Sequence, residues 1–122
     1  MISRYEITLN ELKSSLLKEL GDKVKSIVVY GSVARGEADE ESDLDVFIVL
    51  EDNSIYRRVS DIAYKIDLKN RTATSIFWVT PKELMKYLKN GSPFIENVVS
   101  EGFVLYDDGV FTRVRESIYK KS

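Results

Sequence analysis

Two aspartates, Asp43 and Asp45, flank a single residue where an acidic stretch gives way to the apolar run Leu44–Leu50. Side chains alternate along a strand, so both carboxylates fall on one face with their Cα atoms about 6.5 Å apart, and Leu44 turns the other way into the core. Carboxylates this close repel one another unless a cation lies between them. A divalent ion shared with a phosphate would relieve the repulsion and organise in-line attack at phosphorus. Upstream, the apolar run Val24–Tyr30 ends in Gly31 and Ser32. A glycine directly after a buried strand permits a sharp turn and close approach of a ligand. Ser32 falls at the expected start of a helix, where free backbone NH groups and its hydroxyl form an anion site suited to phosphate. Arg35, one turn on, adds a positive charge. Taken singly, each feature also reads as a plain turn or a solvated lead-in; their ordered combination points to phosphate chemistry. The stretch is neither a Walker loop nor a GxGxxG fingerprint.

Composition narrows the chemistry further. The 122 residues fit one domain, with 43% hydrophobic and 31% charged residues, a globular balance. The absence of Cys and His excludes thiolate nucleophiles, imidazole bases and transition-metal sites built on those ligands. Any metal should be a hard, oxygen-bound ion such as Mg²⁺ or Mn²⁺. Eighteen basic against twenty acidic residues, a net charge of −2, argue against binding nucleic acid through a basic surface. No run is long and apolar enough for a membrane helix and no signal peptide is evident, so the expected location is cytoplasmic.

The elements that must position these residues follow from periodicity. Leu9, Leu12, Leu16, Leu17 and Leu20 form a helical stripe; Thr8 and Glu11 read as its capping box and Gly21 as its stop. Val24–Tyr30 and Leu44–Leu50 read as buried strands, separated by a turn, a short helix and the acidic loop from Glu37 to Glu41. Ile55, Val59, Ile62, Ala63 and Ile66 predict a second long helix capped at Asn53 or Ser54. Thr72–Val79 is a third strand. Thr80-Pro81 and Ser92-Pro93 open two further helices, Phe103–Tyr106 is a fourth strand, and Val110–Lys120 a last helix. The expected class is α/β (α+β), a single domain over residues 1–122 with a mixed sheet of about four strands.

Gly31-Ser32-x-Ala34-Arg35-Gly36, followed after five residues by Ser42-Asp43-x-Asp45, resembles the motif of the DNA polymerase β-type nucleotidyltransferases. More narrowly, it is similar to the minimal nucleotidyltransferases of bacteria and archaea. The resemblance implies a nucleotidyltransferase domain in which Gly31, Ser32, Arg35 and Ser42 bind the nucleotide. It implies that Asp43 and Asp45 are catalytic and hold Mg²⁺ (or Mn²⁺), and that a nucleoside monophosphate, AMP from ATP by default, is transferred as pyrophosphate leaves. Members often accompany a HEPN-domain protein as antitoxin and toxin, and some transfer AMP to it.

The family supplies a third carboxylate from the next strand, and here that strand carries none; aligned on Thr80-Pro81, the expected position falls near Phe77. Asp61 and Asp67 are the nearest acids, but both sit in the preceding helical pattern and read as surface residues. Two functions follow: an enzyme modifying a protein acceptor, or a catalytically weakened, antitoxin-like module acting by binding its HEPN partner. Arg57, Arg58, Lys65, Lys69 and Arg71 read as a solvated helix face. Trp78 and Phe77 read as core. Phe94, Ile95 and Phe103–Tyr106 complete the core or contribute to a surface between two copies of the chain.

Overall fold

The computed structural model describes residues 3–39 and 41–120, the side chains of 119 and 120 excepted; Glu40 of the acidic loop therefore lies outside the described residues. Four strands form one mixed sheet. They are β1 (Val24–Tyr30), β2 (Leu44–Leu50), β3 (Thr74–Val79) and β4 (Phe103–Asp107), in the order β3-β2-β1-β4. β1 runs antiparallel to both β2 and β4, and β2 parallel to β3.

Both faces of the sheet are covered, which explains why β1 and β2 read as nearly unbroken apolar runs. On one face Ile27, Val29, Val46 and Ile48 pack beneath α1 (Arg4–Leu20) and α3 (Tyr56–Asn70), which contribute Leu12, Leu16, Val59 and Ala63. On the other, Val28, Phe47 and Val49 meet α4 (Pro81–Lys89), α5 (Pro93–Glu101) and α6 (Val110–Lys120) through Leu84, Ile95, Val99 and Phe111. Phe47 lies at the centre of this second layer, stacked on Phe77 at 6.0 Å and tilted against Phe111 at 6.5 Å. Trp78 points to the opposite face and stacks on Tyr56 at 5.2 Å, as core. Phe103 on the outer strand β4 is 64% exposed.

The N-terminal helix starts a turn earlier than Thr8 suggests. Ser3 is its N-cap, accepting from the Glu6 amide at 3.2 Å. Thr8 and Glu11 have tertiary partners instead. The Thr8 hydroxyl is buried against Thr72 Oγ1 at 2.9 Å and accepts from Asn70 at 3.1 Å, while Glu11 receives Lys69 and Asn70. Neither Asn53 nor Ser54 caps α3. A single 3-10 turn, Asn53–Ile55, precedes it, and the Asp52 carboxylate caps that turn by accepting from the Ser54 amide.

β3 begins at Thr74 rather than Thr72 because Asp67 claims both threonines. Its carboxylate accepts from Thr72 Oγ1 at 2.7 Å, Thr74 Oγ1 at 2.8 Å and the Thr74 amide at 2.9 Å. Asp67 is thus neither a free surface acid nor directed to the Asp43–Asp45 face; it ties the end of α3 to the start of β3. Asp61 is exposed on α3, beside Ser15 and Lys65 in a groove against α1. Replacing Asp67 by Ala should lower unfolding free energy by about 1–3 kcal/mol, since three donors lose a charged acceptor. Urea denaturation measures this, and Asp61→Ala serves as the near-neutral control.

Candidate active site

The site is assembled where β1 ends and β2 begins. The antiparallel ladder pairs Tyr30 with Asp45. Gly31 follows with φ +75, and a Cβ added there would lie 2.3 Å from Asp45 Oδ2. Only glycine meets both demands: its backbone is in the left-handed region, and the Asp45 carboxylate occupies the space a side chain would need. Gly31 opens the single turn α2 (Gly31–Ala34), which carries Ser32 and closes with the Arg35 amide donating to the Gly31 carbonyl at 3.1 Å. Ser32 is partly exposed beside this junction. The Arg35 guanidinium is engaged by Glu37 at 3.1 Å and reaches Glu101 on α5 at 3.9 Å.

From Gly36 the chain returns through a loop locked by its own side chains. The Ser42 hydroxyl accepts from the Asp39 amide at 3.0 Å and donates to the Asp39 carboxylate at 3.2 Å. Ser42 therefore acts inside the loop leading to the acidic pair. Tyr5, from the first turn of α1, shares its hydroxyl proton between the carbonyls of Asp39 and Ser42, each at 2.8 Å. That anchor has no sequence signature, because a hydroxyl meeting two carbonyls leaves no pattern in residue types at either end.

Asp43 is exposed and Asp45 partly buried, on the face opposite the fully buried Leu44. Burial raises the Asp45 carboxyl above the ordinary carboxylate range, the negative charge of Asp43 raises it further, and Arg35 offsets part of this. Burial, and then the charge of Asp45, likewise raises the Tyr30 phenol. Two converging, mutually repelling oxygen donors suit Mg²⁺ or Mn²⁺, which take one or two protein carboxylates and complete their shell with phosphate and water. No cluster of three or more His, Cys, Asp or Glu able to hold a metal occurs among the described residues.

The parallel register explains why. Ser75, not Phe77, stands beside Asp45 on β3. Phe77 lies one same-face position further along, opposite Phe47, with its ring edge-on to Phe94 at 4.9 Å. The exposed Ser75 therefore occupies the β3 position nearest the acidic pair.

A mixed sheet with a glycine-serine turn facing an Asp-x-Asp pair defines a nucleotidyltransferase domain. Residues 9–106 match the nucleotidyltransferase domain family, and the chain belongs to that family. A Methanocaldococcus jannaschii protein named "Putative protein adenylyltransferase MJ0604" is 36% identical over 101 residues, 83% of this chain and 97% of that protein. A second protein of that organism with the same description, MJ1379, is 32% identical over 103 residues, 80% of this chain and 96% of its own. Among solved structures, a chain from a toxin–antitoxin crystal structure with AMP-PNP superposes with TM-score 0.56 at 21% identity, over 93% of this chain and 87% of its own. A chain from the tri-AMPylated Shewanella oneidensis HEPN toxin in complex with MNT antitoxin gives 0.52 at 20% identity, over 96% and 87%. At these identities the superpositions establish a shared fold. No helix among the described residues is long and apolar enough to cross a membrane.

Two expectations follow from the electrostatics. Because the folded state raises the Asp45 pKa, the protein holds this proton more tightly folded than unfolded. Stability is thus favoured at low pH and lost as pH rises from the ordinary value of 3.8 through the raised one. Asp45→Asn should therefore raise the melting temperature at neutral pH in metal-free buffer, the advantage fading below pH about 4, where Asp45 is protonated in both states. Adding a carboxylate beside the pair, Ser75→Asp, should tighten Mn²⁺ binding roughly tenfold, read by calorimetry with and without nucleotide.

Proposed function

We propose that this protein transfers AMP from ATP to a hydroxyl of a partner protein, a HEPN-domain protein, with Mg²⁺ or Mn²⁺ as cofactor, the whole chain acting as one nucleotidyltransferase domain. The observation that carries this reading is the packing of Gly31 against the Asp45 carboxylate, which sets the phosphate-binding turn beside the acidic pair. Support comes from relatives named as protein adenylyltransferases, and from structural neighbours described as a toxin–antitoxin with AMP-PNP and an AMPylated HEPN toxin with its antitoxin.

In this reading Gly31 and Ser32 hold the triphosphate, and Arg35 contributes positive charge behind it. Asp43 and Asp45 would hold the cation, which when bound supplies neutralisation of the phosphate charge. The acceptor oxygen attacks the α-phosphorus, the bond to the bridging oxygen of the β-phosphate breaks, and pyrophosphate departs. The hydroxyl proton passes to solvent water. Ser75 leaves the β3 side of the acidic pair open and uncharged, on the flank away from the phosphate turn. The acceptor reaches the site there.

The same Ser75 favours a second reading, in which a weakened site leaves the protein to neutralise its partner by binding alone. Incubation with ATP labelled on the α-phosphate and a HEPN-domain partner separates the two. Transfer predicts labelled partner with α-label but not γ-label, and a loss of roughly 100-fold or more in the Asp43→Asn, Asp45→Asn double variant. Neutralisation that survives in that variant, without label in the wild type, establishes the binding module.

A further inference from the structure

The sheet ends on one side at β3, and that edge is bare. In the parallel ladder the Leu44 amide donates to the Ala73 carbonyl at 2.8 Å, which sets the parity of the strand. Ser75 and Phe77 turn their backbone groups to β2, while Thr74, Ile76 and Trp78 turn theirs outward. The amides of the two flanking threonines are already satisfied: Thr74 donates to the Asp67 carboxylate and Thr80 to the Glu83 carboxylate, each at 2.9 Å. Between them Ile76 and Trp78 face away from the sheet, and among the described residues no strand lies beyond β3. Residues 74–79 include no charged residue and no proline, the devices that keep a sheet edge from pairing. β4, at the opposite edge, is interrupted by a register shift against β1, whereas the β2–β3 register runs unbroken. Nor does α3 cover the edge. A groove of about 150 Å³ opens between α3 and β3, lined by Tyr56, Ser60, Tyr64, Thr74 and Ile76. Tyr64 and Leu68, one turn apart on α3, are each 65% exposed, and Ile76, Phe77 and Trp78 are only partly buried.

We infer that a second copy of this chain pairs with β3 edge to edge, antiparallel and centred on Phe77, making one sheet that runs through both copies. The symmetry of the free groups selects this occupant. The satisfied amides, Thr74 and Thr80, and the free ones, Ile76 and Trp78, are each spaced evenly about Phe77. About a twofold axis there, Ile76 lies opposite Trp78 of the second copy and the two exchange both NH···O bonds; the reverse pair does the same. The ladder stops where Thr74 lies opposite Thr80 of the second copy, since neither amide needs a further partner. Phe77 meets its own counterpart as a non-hydrogen-bonded pair, the closer kind, which suits aromatic rings. A charge beside a twofold axis faces its own copy and repels it, and residues 74–79 carry none. The pairing stands apart from the proposed function but bears on it. The same register sets Val79 and Thr80 of the second copy beside Ser75 and Thr74, so that copy borders the flank by which the acceptor reaches the acidic pair.

Light scattering on the full chain over a dilution series, with amide hydrogen exchange followed by NMR, tests this. The wild type should show the mass of two chains when concentrated. The Ile76 and Trp78 amides should then exchange slowly and lose that protection on dilution, while Ser75 and Phe77, bonded to β2, stay protected throughout. Ile76→Pro removes one outward NH and leaves the bonds of Ser75 and Phe77 to β2 in place. Tyr64→Lys, at an exposed position, sets like charges against each other across the axis and leaves the sheet untouched. Each variant should weaken self-association roughly tenfold or more. The inference is overturned by the mass of one chain at every concentration, by a dimer that neither variant weakens, or by a dimer in which Ile76 and Trp78 exchange freely. It is overturned too if those amides gain protection only when a HEPN-domain partner is added, which assigns the edge to that partner.

Discussion

Everything at the site follows from one close approach, the Asp45 carboxylate filling the space beside Gly31 that a side chain would need, next to the last rung of the β1–β2 ladder. The register of that ladder is what places it. A slip of one residue would send Asp45 into the layer under α1 and α3 and bring Leu44 out among the aromatic rings. The apolar residues that lock the register are the same ones that make the core: Val46 and Ile48 on one face, Phe47 and Val49 on the other. Core formation and site assembly are therefore a single event. The charge repulsion between Asp43 and Asp45 is borne by the hydrophobic burial of the strand that carries them.

The two faces of the sheet divide the labour. Beneath α1 and α3 the contacts are apolar at the centre and polar at the rim, where Asp67, Thr72 and Thr8 join the helices to β3. The opposite face holds the aromatic series Phe111, Phe47, Phe77, Phe94 and Tyr30, which leads from the buried core to the edge of the site. Rigid rings in edge and stacked contact transmit the position of α5 to the end of β1 without a charged intermediary.

Much of this was legible in residue order. β1 and β2 were readable to the residue because strands buried on both faces leave long β-branched apolar runs bounded by glycine or acid. The starts of α4 and α5 were readable because Thr80-Pro81 and Ser92-Pro93 carry their own local capping chemistry. Thr8 and Glu11 misled for the opposite reason: the spacing of a capping box can equally serve contacts with Asn70, Lys69 and Thr72, far away in sequence. The identity of the residue beside Asp45 was beyond reach, since the parallel register that selects Ser75 over Phe77 is a property of two strands together. The motif's Gly31, Asp43 and Asp45 could be singled out by type, but the contact between the first and last could not.

Tyr5 gives the N-terminal helix a role that reaches past packing. Its hydroxyl is held over the loop only while the first turn of α1 is wound, and helix ends are where hydrogen-bonded structure opens most readily. Fraying of that turn withdraws a donor from the carbonyls of Asp39 and Ser42 at once, freeing the segment that delivers Asp43. The placement of the loop that leads to Asp43 therefore depends on a helical turn more than thirty residues away in sequence, while Asp45 is held by the ladder itself. Small changes at the start of the chain thus reach the site through the fraction of time that one turn is closed.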